Sequence, residues 1–184
     1  MDVIELDRRA SAATGAIIDR VPAGLLDART PCTKWTVREI VTHLVDNNRS
    51  LVAQARDETD ADIGMGIGTD FTTTSRVFTE TFADPAMLTR RFELARIPTD
   101  GRGVVSVHFA DVLVHGWDIG RAAGLSVTID EDLAHAALRI TARMPDGLRG
   151  PDRAFAHARP APDDAPVHTR LLAFLGRDPE WSPA

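Results

Sequence analysis

Apolar residues recur at helical spacing over most of the chain, and the breaks between these stretches fall at proline, glycine and helix-capping residues. Val3, Leu6, Ala10, Ala13, Ile17 and Ile18 form one stripe over residues 2–20, which Pro22 and Gly24 interrupt. After a connection from Leu25 to Trp35, Thr36-Val-Arg-Glu39 reads as a capping box, in which hydroxyl and carboxylate each satisfy an amide at a helix start. A second helix is therefore predicted from Thr36 to about Arg56. Its stripe is Val37, Ile40, Val41, Leu44, Val45, Leu51 and Val52, with His43 and Asn47 on one edge. Asp57 to Asp70 is acidic and contains Gly64, Gly66 and Gly68, which predicts a mobile loop.

A third helix is predicted from Phe71 or Thr72 to Phe82, stopped by Asp84-Pro85 with a short helical turn after it. Arg90 to Leu94 reads as extended and Pro98 to Gly103 as a turn region. Val104 to about Ala123 is a fourth helix closed by Gly124. Asp130 is placed as the cap of a fifth helix over 131–143, whose inner face is Leu133, Ala137, Leu138 and Ile140. The prolines at 145, 151, 160, 162 and 166 predict an extended wrap before a short helix at about 167–175. Four long helices with short links predict an all-α four-helix bundle. The expectation is one domain over 1–184, with a bundle core at about 1–124 and a C-terminal extension at about 125–184. No internal repeat is present.

A length of 184 residues with 43% hydrophobic content suits a domain with a substantial core. The 21 basic and 27 acidic side chains leave a net charge of −6, and no basic block gathers on one segment, which argues against a nucleic-acid partner. The first residues are acidic where a secretion signal would be basic, and no apolar run approaches the roughly 20 residues a membrane span needs. The expected location is cytoplasmic. A single cysteine, Cys32, allows no internal disulfide. One lysine, no tyrosine and abundant Ala, Asp and Thr are the composition of a GC-rich genome.

Chemistry concentrates in the fourth helix, in His108-Phe-Ala-Asp-Val-Leu-Val-His115-Gly-Trp-Asp118. At about 100° per residue, His108, Asp111, His115 and Asp118 fall within about 80° of one another, among aliphatic neighbours. Burying that stripe costs several kcal/mol unless each group is paired or binds an ion. Asp111 and His115 lie one turn apart and can share an ion. The third ligand must come from another helix, and His43 beside the second helix's apolar stripe is the best placed. Two histidines and a carboxylate form the ligand set of catalytic zinc and non-haem iron sites.

The alternative for each of these residues is a hydrogen-bonded core group or a cap. His108 is open between a fourth ligand, a donor behind the ligands and a residue at the site's mouth. Asp118 either orients a ligating histidine through its second ring nitrogen or pairs with an arginine. Asn47 and Arg121 are either substrate contacts or a solvated face. Nothing in the sequence activates Cys32 as a nucleophile, so it reads as a small buried residue. There is no Gly-x-Ser-x-Gly elbow, P-loop, CxxC or EF-hand pattern. The formal glycosylation sequon at Asn48 falls inside a predicted helix and is discounted.

Thr30-Pro-Cys-Thr-Lys-Trp-Thr-Val-Arg-Glu-Ile-Val-Thr-His43-Leu-Val and Ala110-Asp111-Val-Leu-Val-His115-Gly-Trp-Asp-Ile resemble two segments of the DinB-like four-helix-bundle superfamily. Within it they resemble the mycothiol-dependent maleylpyruvate isomerase group of actinobacterial metal-binding proteins. The ending, Asp163-Asp-Ala-Pro to Trp181, looks like the tail of a large subfamily, so the resemblance spans nearly the whole chain. It implies His43, Asp111 and His115 as metal ligands, with Asp111 standing where the isomerase has the longer Glu. It also implies a divalent metal, zinc first with nickel, iron or manganese as alternatives, and a low-molecular-weight thiol, mycothiol, as partner.

The function so implied is a metal- and thiol-dependent transferase or isomerase acting on a small electrophile. The competing reading is a non-catalytic metal-binding or small-molecule-sensing bundle. The isomerase's substrate-binding residues are not assigned onto this chain, and catalytic and substrate-binding residues stay unassigned. Bundles of this kind commonly form homodimers, but no interface is legible.

Overall fold

A computed structural model describes residues 2–57, 70–94, 96–144, 149–150 and 155–183. Its order is α1 (Val3–Ile18), a 3-10 turn (Ala23–Leu25), α2 (Val37–Arg56), α3 (Phe71–Phe82), α4 (Pro85–Thr89), β1 (Arg91–Leu94), β2 (Ile97–Asp100), α5 (Gly101–Ala122), α6 (Glu131–Thr141) and α7 (Val167–Phe174). The molecule is mostly helical, and α1, α2, α3 and α5 form a DinB-like bundle in which α1 lies along α5 and α3 against α1 and α2. The acidic stretch read as a mobile loop lies largely outside the described residues, as do Pro145 and Pro151.

The helix ends follow the capping chemistry in the sequence. Thr36 accepts from the Glu39 amide at 3.4 Å while the Glu39 carboxylate accepts from the Thr36 amide at 2.8 Å. At the end of α5, Gly124 N–H donates to Arg121 and Leu125 N–H to Gly120, which satisfies two terminal carbonyls. Two expectations need correction. Residues 97–100 are a strand, paired antiparallel with 91–94 in the register Arg91 to Asp100 and Leu94 to Ile97. Helix α5 then starts at Gly101, because the Asp100 side chain accepts from the Gly103 amide at 2.8 Å. Asp130 stands at the N-cap of α6 without capping it. Its carboxylate takes Arg9 of α1 instead.

Helix α5 is apolar around most of its circumference, and it is buried along most of its length by α1, α2, α4, α6 and the hairpin. Close approach to α1 depends on Gly116, where a Cβ would come 2.3 Å from Thr14 Oγ1. That hydroxyl donates to the Val112 carbonyl at 3.0 Å. Leu133 and Ala137 of α6, and Leu171 and Leu172 of α7, share one apolar cluster with Leu6, Val37, Ile40 and Phe109 of the bundle. No helix among the described residues is long and apolar enough to cross a membrane.

Near the middle of the bundle, His108 is held from two sides. Nδ1 lies 2.6 Å from Asp7 Oδ1 of α1 and Nε2 lies 2.5 Å from Asn48 Oδ1 of α2, while the ring stacks on Phe78 at 3.9 Å. Thr74 gives its hydroxyl hydrogen to the Asp70 carbonyl, so toward Asn48 it can only accept. The Asn48 amide therefore points its nitrogen at Thr74 and its oxygen at His108. His108→Leu strands the Asp7 carboxylate in a dry interior and is expected to lower unfolding stability by about 3–5 kcal/mol. Asp7→Leu/His108→Leu should recover most of that loss, as measured by equilibrium denaturation of both variants.

Candidate metal centre

One turn beyond His108, the inward face of α5 presents Asp111 and then His115, and α2 brings His43 against them. His43 Nε2 lies 3.0 Å from Asp111 Oδ2, and His115 Nε2 lies 3.5 Å from Asp111 Oδ1. One donor atom from each of the three residues falls within 4.8 Å of the other two. Donors that share a tetrahedral ion at about 2.0–2.2 Å sit about 3.4 Å apart, so this group can hold a metal ion with little movement. The side chains of His115 and Asp111 are 1% and 7% exposed, whereas that of His43 is 31% exposed. Access to the group is along the His43 edge.

The protonation pattern fits a cation. Asp118 Oδ2 lies 3.0 Å from His115 Nδ1, and an ionised carboxylate can only accept there, so Nδ1 carries the hydrogen. In the neutral ring, the form that can bind a metal, Nε2 is then a bare lone pair. It is buried, has no hydrogen-bond partner among the described residues, and faces another acceptor, Asp111. A buried acceptor opposed to an acceptor is satisfied by a positive ion between them. Burial alone would raise the Asp111 carboxyl, but the His115 and His43 rings beside it hold it at about 2. Burial would lower His43, and its hydrogen bond and attraction to Asp111 outweigh that and leave it raised.

Cys32, His115 and Asp118 form a second group within the same distance limit. It is the poorer cation site, because Asp118 is already taken by Arg177, whose Nη2 lies 2.7 Å from Oδ2. Burial pushes the Cys32 thiol up, away from the thiolate a metal needs, against the opposing pull of Arg177.

The other expectations sort cleanly. His108 belongs to the Asp7–Asn48 network and is neither ligand nor mouth. Asp118 does both things weighed for it, orienting His115 and pairing with an arginine. Arg121 donates its Nε to the Trp181 carbonyl at 3.1 Å and so ties down the C-terminal segment. Asn47 is half-buried one turn after His43. Sequence reasoning missed Trp35, whose ring stacks on His43 at 4.5 Å and meets His115 at 5.4 Å, and it missed Arg177. It also passed over Asp7 and took Asn48 only as a discounted sequon, although both occupy stripe positions on their helices, where a polar residue among apolar ones is a readable signal.

The metal-free pair gives a pH dependence with a definite sign. The folded-state value of Asp111, about 2, lies below its ordinary value of 3.8, so its stabilisation is complete above pH 4 and is lost as pH falls toward 2. The size is about 2 kcal/mol. Denaturation of metal-free wild type and Asp111→Asn should show their stability difference shrinking by about that amount between pH 4 and pH 2.

Residues 8–70, which include His43, match the mycothiol maleylpyruvate isomerase N-terminal domain family. Two relatives, uncharacterized proteins MT0763 and Rv0738 of Mycobacterium tuberculosis, are each 31% identical over 179 residues, covering 96% of this chain and 98% of the relative. No solved structure matches. A helical bundle with a cross-helix His/Asp/His cluster, the family match and relatives aligned along nearly the whole chain together place this protein in the mycothiol maleylpyruvate isomerase-like family.

Proposed function

We propose that the protein binds a divalent metal, zinc in the first instance, through His43, Asp111 and His115, and uses it with a low-molecular-weight thiol to transfer or isomerise a small electrophile. The observation that carries this reading is the buried, unpartnered Nε2 of His115 aimed at the Asp111 carboxylate. A bound divalent ion lowers the pKa of a coordinating thiol enough to hold it as thiolate, the nucleophilic form, at neutral pH. The chain's own residues supply the surroundings. Asp111 and the two imidazoles make three ligands where closed structural zinc sites have four, so a position is left for a small molecule. Cys32, whose thiol is the natural candidate for a fourth ligand, is grouped with His115 and Asp118 and not with His43 and Asp111.

His43 must release its Nε2 hydrogen to bind metal, so Asp111, which favours the protonated ring, sets the acidity at which metal and proton exchange. Affinity for zinc should therefore fall as pH drops below the raised His43 value. Trp35 packs on the His43 ring and limits its rotation. The family supplies mycothiol as the thiol to test first.

Elemental analysis of the untagged protein should find close to one equivalent of divalent metal, and His43→Ala/His115→Ala should lose it; equal content in both would refute the site. Metal-loaded protein should turn over at least one member of a panel of small electrophiles with mycothiol and fail without it. Full metal occupancy with no thiol-dependent rate across the panel would leave the non-catalytic metal-binding bundle as the function.

A further inference from the structure

The C-terminal segment reaches the metal centre through one buried side chain. Arg177 is 3% exposed and Asp118 is fully buried. Arg177 Nε lies 3.2 Å from both Asp118 oxygens and Nη2 lies 2.7 Å from Oδ2, while Nη1 donates to the Leu175 carbonyl at 3.0 Å. The guanidinium plane is thus fixed from two sides, and it fixes the carboxylate in turn. The same Oδ2 accepts from His115 Nδ1 at 3.0 Å. Arg177, Asp118, His115 and Asp111 form one chain of contacts from the tail to the candidate ligands.

The backbone is shaped to deliver that arginine. Helix α7 ends at Phe174, and Gly176 takes a φ of +81°, with its N–H on the Ala173 carbonyl and that of Arg177 on the Leu172 carbonyl, both at 2.9 Å. A Cβ at Gly176 would come 2.5 Å from Ala156 Cβ and 2.8 Å from the His157 carbonyl oxygen. Only glycine permits this turn, and the turn sends residue 177 inward. A buried ion pair of this kind adds little net stability over a well-packed apolar pair, so stability does not account for it.

We propose that Arg177 and Asp118 are the positioning pair of the metal centre, holding His115 as the tautomer with hydrogen on Nδ1 and a bare Nε2 facing Asp111. With the hydrogen on Nε2, the ring would present N–H to Asp111 and have no lone pair to give a metal. The consequence for metal binding rests on the function proposed above; the tautomer does not.

The test uses Asp118→Leu/Arg177→Met, which removes both charges together and leaves net charge unchanged. Nitrogen NMR of the imidazoles, recorded on metal-free protein at a pH high enough for the rings to be neutral, should show His115 of the wild type as the Nδ1–H tautomer. Nε2–H there overturns the proposal, and this measurement decides it even if the double variant does not fold. In the folded double variant the tautomers should mix, and zinc affinity in a chelator competition should fall about 10- to 100-fold. A folded variant with wild-type tautomer and wild-type affinity overturns the proposal. Wild type that shows Nδ1–H yet binds no zinc upholds the positioning pair and refutes the metal reading.

Discussion

Helix α5 carries four polar groups, His108, Asp111, His115 and Asp118, through the driest part of the molecule, and the rest of the structure is arranged to give each of them a partner. A polar atom without a partner in such surroundings costs several kcal/mol, a sizeable share of a domain's whole stability. Three of the elements around α5 contribute accordingly. Helix α1 offers Asp7, α2 offers Asn48 and His43, and the segment after α7 offers Arg177. Of these four side chains, the one buried atom left without a hydrogen-bond partner among the described residues is Nε2 of His115.

That remainder is informative because the alternatives to it were cheap. Buried pairs of this kind can often be replaced by apolar residues of similar volume at no cost in stability, so their presence is not explained by the need to fold. Their geometric effect is to lock the rotation of α5 against three different elements. Moving α5 by one residue, about 100° of rotation, would break every one of these contacts at once. The rotation so fixed is the one that brings Asp111 and His115 to His43.

The helices were legible because their ends carry local chemistry: the Thr36/Glu39 box, the stop at Asp84-Pro85 and the Gly124 terminus all act within a turn of the chain. Strand β2 was not, because Pro98, Thr99 and Asp100 carry turn chemistry and become a strand only by pairing with β1. Asp130 had the right residue type for a cap, but Arg9 from another helix competes for it. The same division runs through the site. Asp111 and His115 are visible as a pair one turn apart, and His43 as a histidine on the edge of an apolar stripe. Arg177 meets Asp118 across 59 residues with no periodicity to announce it. The two readings of Asp118 could not be decided from sequence because both hold: a carboxylate has enough lone pairs to serve the histidine and the arginine together.

Charge balance sharpens what the centre can accept. With neutral imidazoles, Asp111 and Asp118 against Arg177 leave one excess negative charge in a buried cluster, and uptake of a proton by His43, which Asp111 favours, offsets it in the absence of a metal. On the proposed reading a divalent cation takes the place of that proton, and the excess becomes one positive charge. A dry site disfavours a net charge of either sign. One further anionic ligand, such as a thiolate, restores neutrality, whereas a neutral ligand leaves the charge standing and a second anion reverses it. Arg177 is what sets this count. Without it, Asp118 would already have absorbed the extra positive charge, and the centre would have no electrostatic reason to hold a thiol in its ionised form.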